Sequence, residues 1–499
     1  MTKKKKTVIN FVISIITQAL TVFLGLIVPR IVLTHYGSDT NGLTNTIGQI
    51  FTYMALLEAG IALSARNAFY KPIRENDKYG ISFVASLAKR YYKRITIIYF
   101  FAVLIISAVS PLIFKTNVDY LTILFYVLFE GLVAVVSFYF INTWSTFLRS
   151  NGDTYIISIL ALVSKILCYI VKIVLSLYGI NIALIQIGYF VVSLIQLLLY
   201  FLIMKKKYGW IRYDIDTGDA KLPDKNANLI SEIAWVVFSS TDMIVLSIFV
   251  STSSSSVYSI YNMVFVALHG LLDAVYQSIN YHLGQKYNSG DIEGYKRLHD
   301  LFNSIFIFGI CLLMSVCYFL IIPFVKLYTN GVTDIDYIHP LLPILFSLVQ
   351  ILSWSRYISG NLIGISFRLK PAIKVNVAEA LINLSLSLVL VHFFDIEGVL
   401  LATVLALPLK VIYCTYISDV VILKRKPFKT LSILLTNYAV FGISVTISHL
   451  VNIQIENYIQ FVLWGGFLFV VEFVIFLFFN IIANKDLIKA FRIFIEKKA

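Results

Sequence analysis

Residues 155–178 read YIISILALVSKILCYIVKIVLSLY. The run is long enough to cross hydrocarbon as a helix, which takes about 20 residues, yet Lys165 and Lys172 interrupt it. Seven residues at 3.6 per turn bring the two lysines to nearly the same face, about 10 Å apart along the axis. Ser158 and Ser176 extend that stripe, and the other faces carry Ile, Leu and Val. One polar seam on an oily helix meets water or protein, not lipid. Two like charges held so close repel each other, so such a seam favours a bound anion.

Outward from this stretch, apolar runs of similar length recur along the whole chain. Of the 499 residues, 59% are hydrophobic and only 14% charged, too few charged groups to cover a soluble domain of this size. The roughly 10-residue alternating segments of a membrane β-barrel are absent. The expected fold is therefore an all-α polytopic membrane protein. Fourteen spans are predicted near 8–33, 41–64, 95–113, 120–147, 155–178, 181–204, 229–250, 257–283, 300–324, 338–363, 372–393, 397–422, 431–450 and 458–482. MTKKKK is followed by an apolar core longer than a signal peptide's and by no small-residue cleavage site, so it reads as a retained first span. Cys168, Cys311, Cys317 and Cys414 all fall in apolar runs and read as small core residues, not as disulfide or zinc ligands.

The 41 Lys and Arg residues set the orientation. Nearly all lie at the termini or in the even-numbered connections, whereas the odd-numbered connections hold only Lys115 and Lys326. Both termini are thus expected in the cytoplasm. The net charge of +14 is mostly topology and needs no nucleic-acid partner.

Five cations fall inside predicted spans: Arg30, Lys165, Lys172, Arg356 and Lys410. A Lys or Arg at mid-span costs about 2.5 to 3.5 kcal/mol on insertion scales. Snorkelling to the headgroups is the plain explanation where the residue lies near a span end, as Arg30 does. Lys165 and Lys410 lie near span centres, roughly 15 Å of hydrocarbon from either surface, and are expected to line a cavity that receives an anionic headgroup; Lys172, Arg30 and Arg356 are the further candidates for that cavity. Glu58, Glu130, Asp242, Asp273, Glu379 and Glu472 also fall inside spans. They either balance the buried cations or bind a coupling ion, H+ or Na+, during transport.

Other motifs carry less. Asp214-Ile-Asp216 and Asp334-Ile-Asp336 fit D-x-D, but neither connection is large enough to hold a nucleotide. There is no phosphate-binding G-x-x-x-x-G-K-[ST] loop, no H-E-x-x-H and no G-x-S-x-G. No catalytic residue and no cofactor is expected.

A faint duplication is visible. ALLEAGIALSARNAFYK (55–71) in span 2 and GLLDAVYQSINYHLGQK (270–286) in span 8 align Glu58 with Asp273. The spans are six apart, which suggests two six-helix lobes with two C-terminal helices added. The expected divisions are 1–204 (spans 1–6), a connection at 205–228, 229–422 (spans 7–12) and 423–499.

The stretch IVPRIVLTHYGSDTNGLTNTIGQIFTYMALLEAGIALSARNAFYK (27–71) and the turn Arg149-Ser-Asn-Gly152 resemble the polysaccharide flippases of the Wzx type. These belong to the multidrug/oligosaccharidyl-lipid/polysaccharide (MOP) exporter superfamily. The resemblance spans essentially the whole chain. It implies a two-lobed bundle alternating between inward- and outward-open states. Such a bundle would carry an undecaprenyl-pyrophosphate-linked oligosaccharide across a bacterial cytoplasmic membrane, with membrane lipids, a polysaccharide polymerase and glycosyltransferases as partners. The alternatives are an organic-cation antiporter of the same superfamily, whose cavity would be dominated by acids and aromatics, and a membrane glycan polymerase or ligase, which would need a long outer loop.

Overall fold

A computed structural model describes residues 3–222, 236, 241–366, 369–451 and 453–483. All regular structure among them is helical. In chain order the helices are α1 (Lys3–Arg74), α2 (Lys78–Ile113), α3 (Tyr120–Val136), α4 (Asn142–Ser150), α5 (Thr154–Leu177) and α6 (Ile182–Tyr208). After helical residues 241–249 come α7 (Thr252–Asn288), α8 (Ile292–Tyr328), α9 (Leu342–Ser355) and α10 (Tyr357–Ile365), then α11 (Leu369–Tyr416), α12 (Phe428–Ser448) and α13 (Tyr458–Ala483). Nine of the described helices are long and apolar enough to cross a membrane. The protein is a polytopic helical membrane protein.

Two helices each carry a pair of expected spans. In α1 the backbone breaks at Gly37 (φ 78°, ψ 177°), between expected spans 1 and 2. This left-handed conformation suits glycine because it has no Cβ to clash. In α11 the break is at Asp395 (φ 45°, ψ −120°), between spans 11 and 12. Three residues on, Gly398 packs so tightly that an added Cβ would lie 2.3 Å from the Leu390 carbonyl oxygen.

Helix starts follow ordinary capping chemistry, in which a short polar side chain accepts from an otherwise unpaired backbone N–H. Asp77, Asp119, Asn181 and Asp291 accept from the backbone N–H of Gly80, Thr122, Ala183 and Gly294. The Arg149–Gly152 turn ends α4 with Gly152 at φ +72° and with the Asp153 N–H donating to the Leu148 carbonyl, a glycine-terminated helix end. Asp153 then accepts from the Tyr208 hydroxyl and lies 3.5 Å from the Lys207 ammonium, tying the start of α5 to the end of α6. Asp216 and Asp336, from the two D-x-D matches, accept from the N–H groups of Gly218 and Ile338 and so shape turns.

The chain divides into two compact units, Met1–Ser256 and Val257–Ala499. Residues 223–235 and 237–240, which hold the end of the expected inter-lobe connection and the first half of span 7, lie outside the described residues. Residues up to Leu222 belong with the first unit. There Arg90 donates to the carbonyls of Gly218 and Ala220, and Leu222 is buried against Ile61, Leu87 and Tyr92.

In the first unit, α1, α2, α3, α5 and α6 pack around clusters that include Phe69, Phe147, Leu160 and Tyr200. At the cation-poor end, Asp39 accepts from the Thr252 and Ser253 hydroxyls (2.7 and 2.6 Å) and from the Asn117 amide (2.7 Å). Lys115 donates through its backbone N–H to the Ser247 carbonyl and through its ammonium to that of Phe249. An added Cβ on Gly42 would lie 1.6 Å from the Thr252 carbonyl oxygen.

In the second unit α8 is central and touches α9, α12 and α13; its Ile310, Cys311 and Met314 are fully buried. The other three cysteines are buried and unpaired too. Helices α12 and α13 are joined by a reciprocal amide pair, Asn437 with Asn480 (2.9 and 3.1 Å), and by Ser444 donating to Glu472 (2.7 Å). All four side chains are buried.

Candidate functional site

Each unit carries a basic site at membrane depth. In the first, α5 brings Lys165 and Lys172 onto one flank, both half-buried. The Lys172 ammonium sits 4.4 Å from the ring centre of Tyr189 on α6, and that of Lys165 lies 5.9 Å from the Tyr169 ring. An aromatic face stabilises a desolvated cation by about 0.5–2 kcal/mol, which offsets part of the cost of holding it among apolar groups.

The acids of this unit are held differently. Glu58 on α1 accepts from the Asn142 amide, and Glu130 on α3 accepts from the buried amide of Gln186 on α6. Neither forms an ion pair among the described residues. Asn142 reaches Glu58 because the segment Ser137–Ile141 is a π-turn between α3 and α4, which rotates the helix face that follows. Asp242 is buried in the same unit, within helical residues 241–249. Arg30 lies on α1, one turn before Thr34, whose hydroxyl donates to the Arg30 carbonyl.

In the second unit three residues from separate expected spans converge. Arg356, at the break between α9 and α10, pairs with one oxygen of Glu379, and the Lys410 ammonium lies 3.4 Å from the other. Both Glu379 and Lys410 are on α11, before and after its break. Arg356 and Glu379 are sealed, with side chains 4% and 3% exposed, whereas Lys410 is 20% exposed. Two cations thus meet at one carboxylate, and Lys410 is the more open member.

Aromatic rings border this triad. Tyr357 packs at a tilt, 4.3 Å from the fully buried Trp354, and meets Tyr276 edge-on at 5.0 Å, and His269 packs 4.5 Å from Trp354. Asp273, one turn from Tyr276 on α7, accepts from Gln277 at 3.3 Å. The structure thus brings Arg356, Glu379 and Lys410 together and sets Lys165 and Lys172 on a common seam. Asp273 has no ion pair among the described residues.

Sequence reasoning missed several partners. The Lys165–Tyr169 pair was readable from its four-residue spacing. Tyr189 and Asn142 were not, since neither shares a helix with its partner. A further network, with no motif to announce it, sits at the cation-rich end of the second unit. Arg425 clamps Asp300 through both terminal nitrogens (2.6 and 2.9 Å) and donates through Nε to Asp419 (2.9 Å), and Lys429 adds a contact to Asp300 (3.1 Å).

No family model and no curated protein matches the sequence. Solved structures do match its fold. The lipid II flippase MurJ in an inward closed conformation aligns with a TM-score of 0.68 at 17% identity, over 96% of this chain and 100% of that one. The chain shares the fold of that structure. An inward-facing multidrug resistance transporter of the MATE family, of the MOP superfamily, aligns at 0.60 with 11% identity, over 85% of this chain and 96% of that one. A MOP superfamily transporter from Pyrococcus furiosus aligns at 0.54 with 13% identity, over 85% and 98%. All the structures named here with this fold are transporters or flippases.

Proposed function

We propose that this protein flips a lipid-pyrophosphate-linked oligosaccharide, of the undecaprenyl-pyrophosphate repeat-unit kind, across the cytoplasmic membrane by alternating access. It would thereby serve surface polysaccharide assembly, its termini in the cytoplasm. The observation that carries this reading is the placement of basic side chains from the expected spans in both units, two lysines on one flank of α5 and two cations meeting at Glu379. Lys165 and Lys172 face aromatic rings, and Lys410 shares Glu379 with Arg356. A pyrophosphate needs a cationic path while its polyprenyl tail stays in lipid, and ammonium and guanidinium groups within the spans suit the anion. The similarity to a lipid II flippase supports the same class of cargo.

The test is reconstitution. Proteoliposomes carrying the protein should move a fluorescent lipid-pyrophosphate oligosaccharide between leaflets, and Lys165→Ala and Lys410→Ala should each abolish that movement at normal protein level. Wild-type flipping rates from both variants would overturn the role of these residues.

A second reading, an organic-cation antiporter coupled to H+ or Na+, is favoured by Glu58 and Glu130, which have amide partners in place of cations. It requires that Glu58→Gln and Glu130→Gln abolish drug efflux in cells, whereas the flippase reading requires no efflux to begin with.

A further inference from the structure

The second unit contains a cavity of about 630 Å3 that the basic sites do not use, at the end bearing the α8–α9 and α12–α13 connections. This is the cation-poor end of the chain. One wall is a single face of α8, since Tyr318, Ile322 and Lys326 recur every four residues and line it together. Phe319, Pro323, Pro340 and Pro343 add flat apolar surface, and the connection after α12 closes the space with His449, Gln454 and Glu456.

Five polar side chains therefore converge on one cavity: the Tyr318 hydroxyl, the Lys326 ammonium, the His449 ring, the Gln454 amide and the Glu456 carboxylate. None of their polar groups makes a hydrogen bond or ion pair among the described residues. The frame that holds them is tied down. Tyr458 donates to the Leu327 carbonyl (3.3 Å), the Glu456 N–H donates to Gln460 (2.8 Å), and the Gln460 N–H donates to Asn457 (2.9 Å). Tyr318 packs edge-on against Phe441 at 6.5 Å. The segment that carries Glu456 is thus anchored to α8, while Lys326, His449, Gln454 and Glu456 are themselves exposed to an incoming ligand.

The chemistry of the set selects its ligand. An ammonium only donates and a carboxylate only accepts, whereas the amide, imidazole and hydroxyl groups do both. One positive and one negative charge on the same cavity leave little preference for a net anion or cation. A ligand that presents many hydroxyls, each both donor and acceptor, together with an apolar ring face, satisfies all of them. The volume lies within the roughly 300–1,000 Å3 of small-molecule sites. We propose that this cavity binds a neutral sugar residue. The flippase reading enters only as the source of that sugar, the glycan arriving at the cation-poor side; the binding itself does not depend on it.

Saturation-transfer NMR on the full-length protein in a detergent without a sugar headgroup tests this. The probes are the methyl glycosides of glucose, galactose, mannose and N-acetylglucosamine, with methyl glucuronoside as the charged comparison. At least one neutral glycoside should receive saturation, and the signal should fall at least fivefold in Gln454→Ala/Glu456→Ala protein of unchanged Tm. If the double variant melts early, Gln454→Ala alone is judged by the same criterion. No transfer to any neutral glycoside, transfer to the glucuronoside alone, or a signal that persists in the variant would each overturn the proposal. Because no lipid-linked substrate is present, a negative result leaves the flipping reading standing, and failed flipping leaves this one standing.

Discussion

The hydroxyl of Thr252 donates to the carboxylate of Asp39 at 2.7 Å, joining residues 213 apart in sequence. Asp39 follows the Gly37 break and takes three further contacts, from Ser253 and from the side chain and backbone of Asn117. Partial burial alone would raise its pKa, but these donors outweigh it and hold the carboxyl below its ordinary value. A depressed folded-state pKa contributes stability that is present above the unfolded value near 3.8 and is lost as pH falls through the folded value. Melting curves of the wild type below pH 4 should therefore fall more steeply than those of Asp39→Asn. At neutral pH Asp39→Asn should lower stability by about 1–3 kcal/mol, the range for losing hydrogen bonds to a charged group. Parallel curves for the two proteins would contradict this.

Gly42 tests the same junction sterically. A Cβ there would meet the Thr252 carbonyl oxygen at 1.6 Å and the Ser256 nitrogen at 2.8 Å, both backbone atoms that cannot rotate away. Gly42→Ala should sharply reduce the monodisperse fraction on size-exclusion chromatography. Gly48→Ala, one helical stretch on and with nothing within 4 Å, should behave as wild type.

The Arg356–Glu379–Lys410 triad separates folding from transport. Removing Glu379 strands two buried cations, and removing Arg356 breaks a sealed pair, which costs about 3–5 kcal/mol. Both Glu379→Ala and Arg356→Ala should lower folded yield and Tm. Lys410 is the more open member, so Lys410→Ala leaves the sealed pair intact. Its yield should match wild type while flipping is lost.

Tyr189 supports Lys172 through its ring, not its hydroxyl. Tyr189→Phe should keep thermal stability and flipping close to wild type. Tyr189→Leu should cost about 0.5–2 kcal/mol and reduce flipping in the same assay.

Arg425 holds Asp300 and Asp419 through four polar contacts counted with Lys429. Arg425→Ala leaves buried carboxylates unbalanced and should reduce stability by about 3–5 kcal/mol. Arg425→Lys, lacking the planar fork that grips Asp300 at two points, should recover only part of the loss.

The helical architecture was legible because hydropathy acts over 20 residues, so fourteen expected spans map onto the described helices wherever those are described. The pairing of spans within α1 and α11 was less so, since a break at Gly37 or Asp395 leaves regular hydrogen bonding on either side. Lys165 and Lys172 could be placed on one face by counting residues along a helix. That Arg356, Glu379 and Lys410 meet could not, because their contact depends on how α9, α10 and α11 pack. Tyr189, Asn142 and Gln186 went unnoticed for the same reason. Each is an ordinary residue on its own helix and gains a role only from a neighbour, as Asn142 does when the π-turn rotates it toward Glu58.

The Asn437–Asn480 clasp and the Ser444–Glu472 bond make the last two helices a single inseparable article of construction. A chain cut short before Tyr458 would strip the Asn437 amide oxygen and the Ser444 hydroxyl of the partners that α13 supplies, and in hydrocarbon each unmet polar group costs several kcal/mol. Any lineage or engineer wishing to shed the final helix must shed its predecessor with it, or first repaint both positions in aliphatic residues.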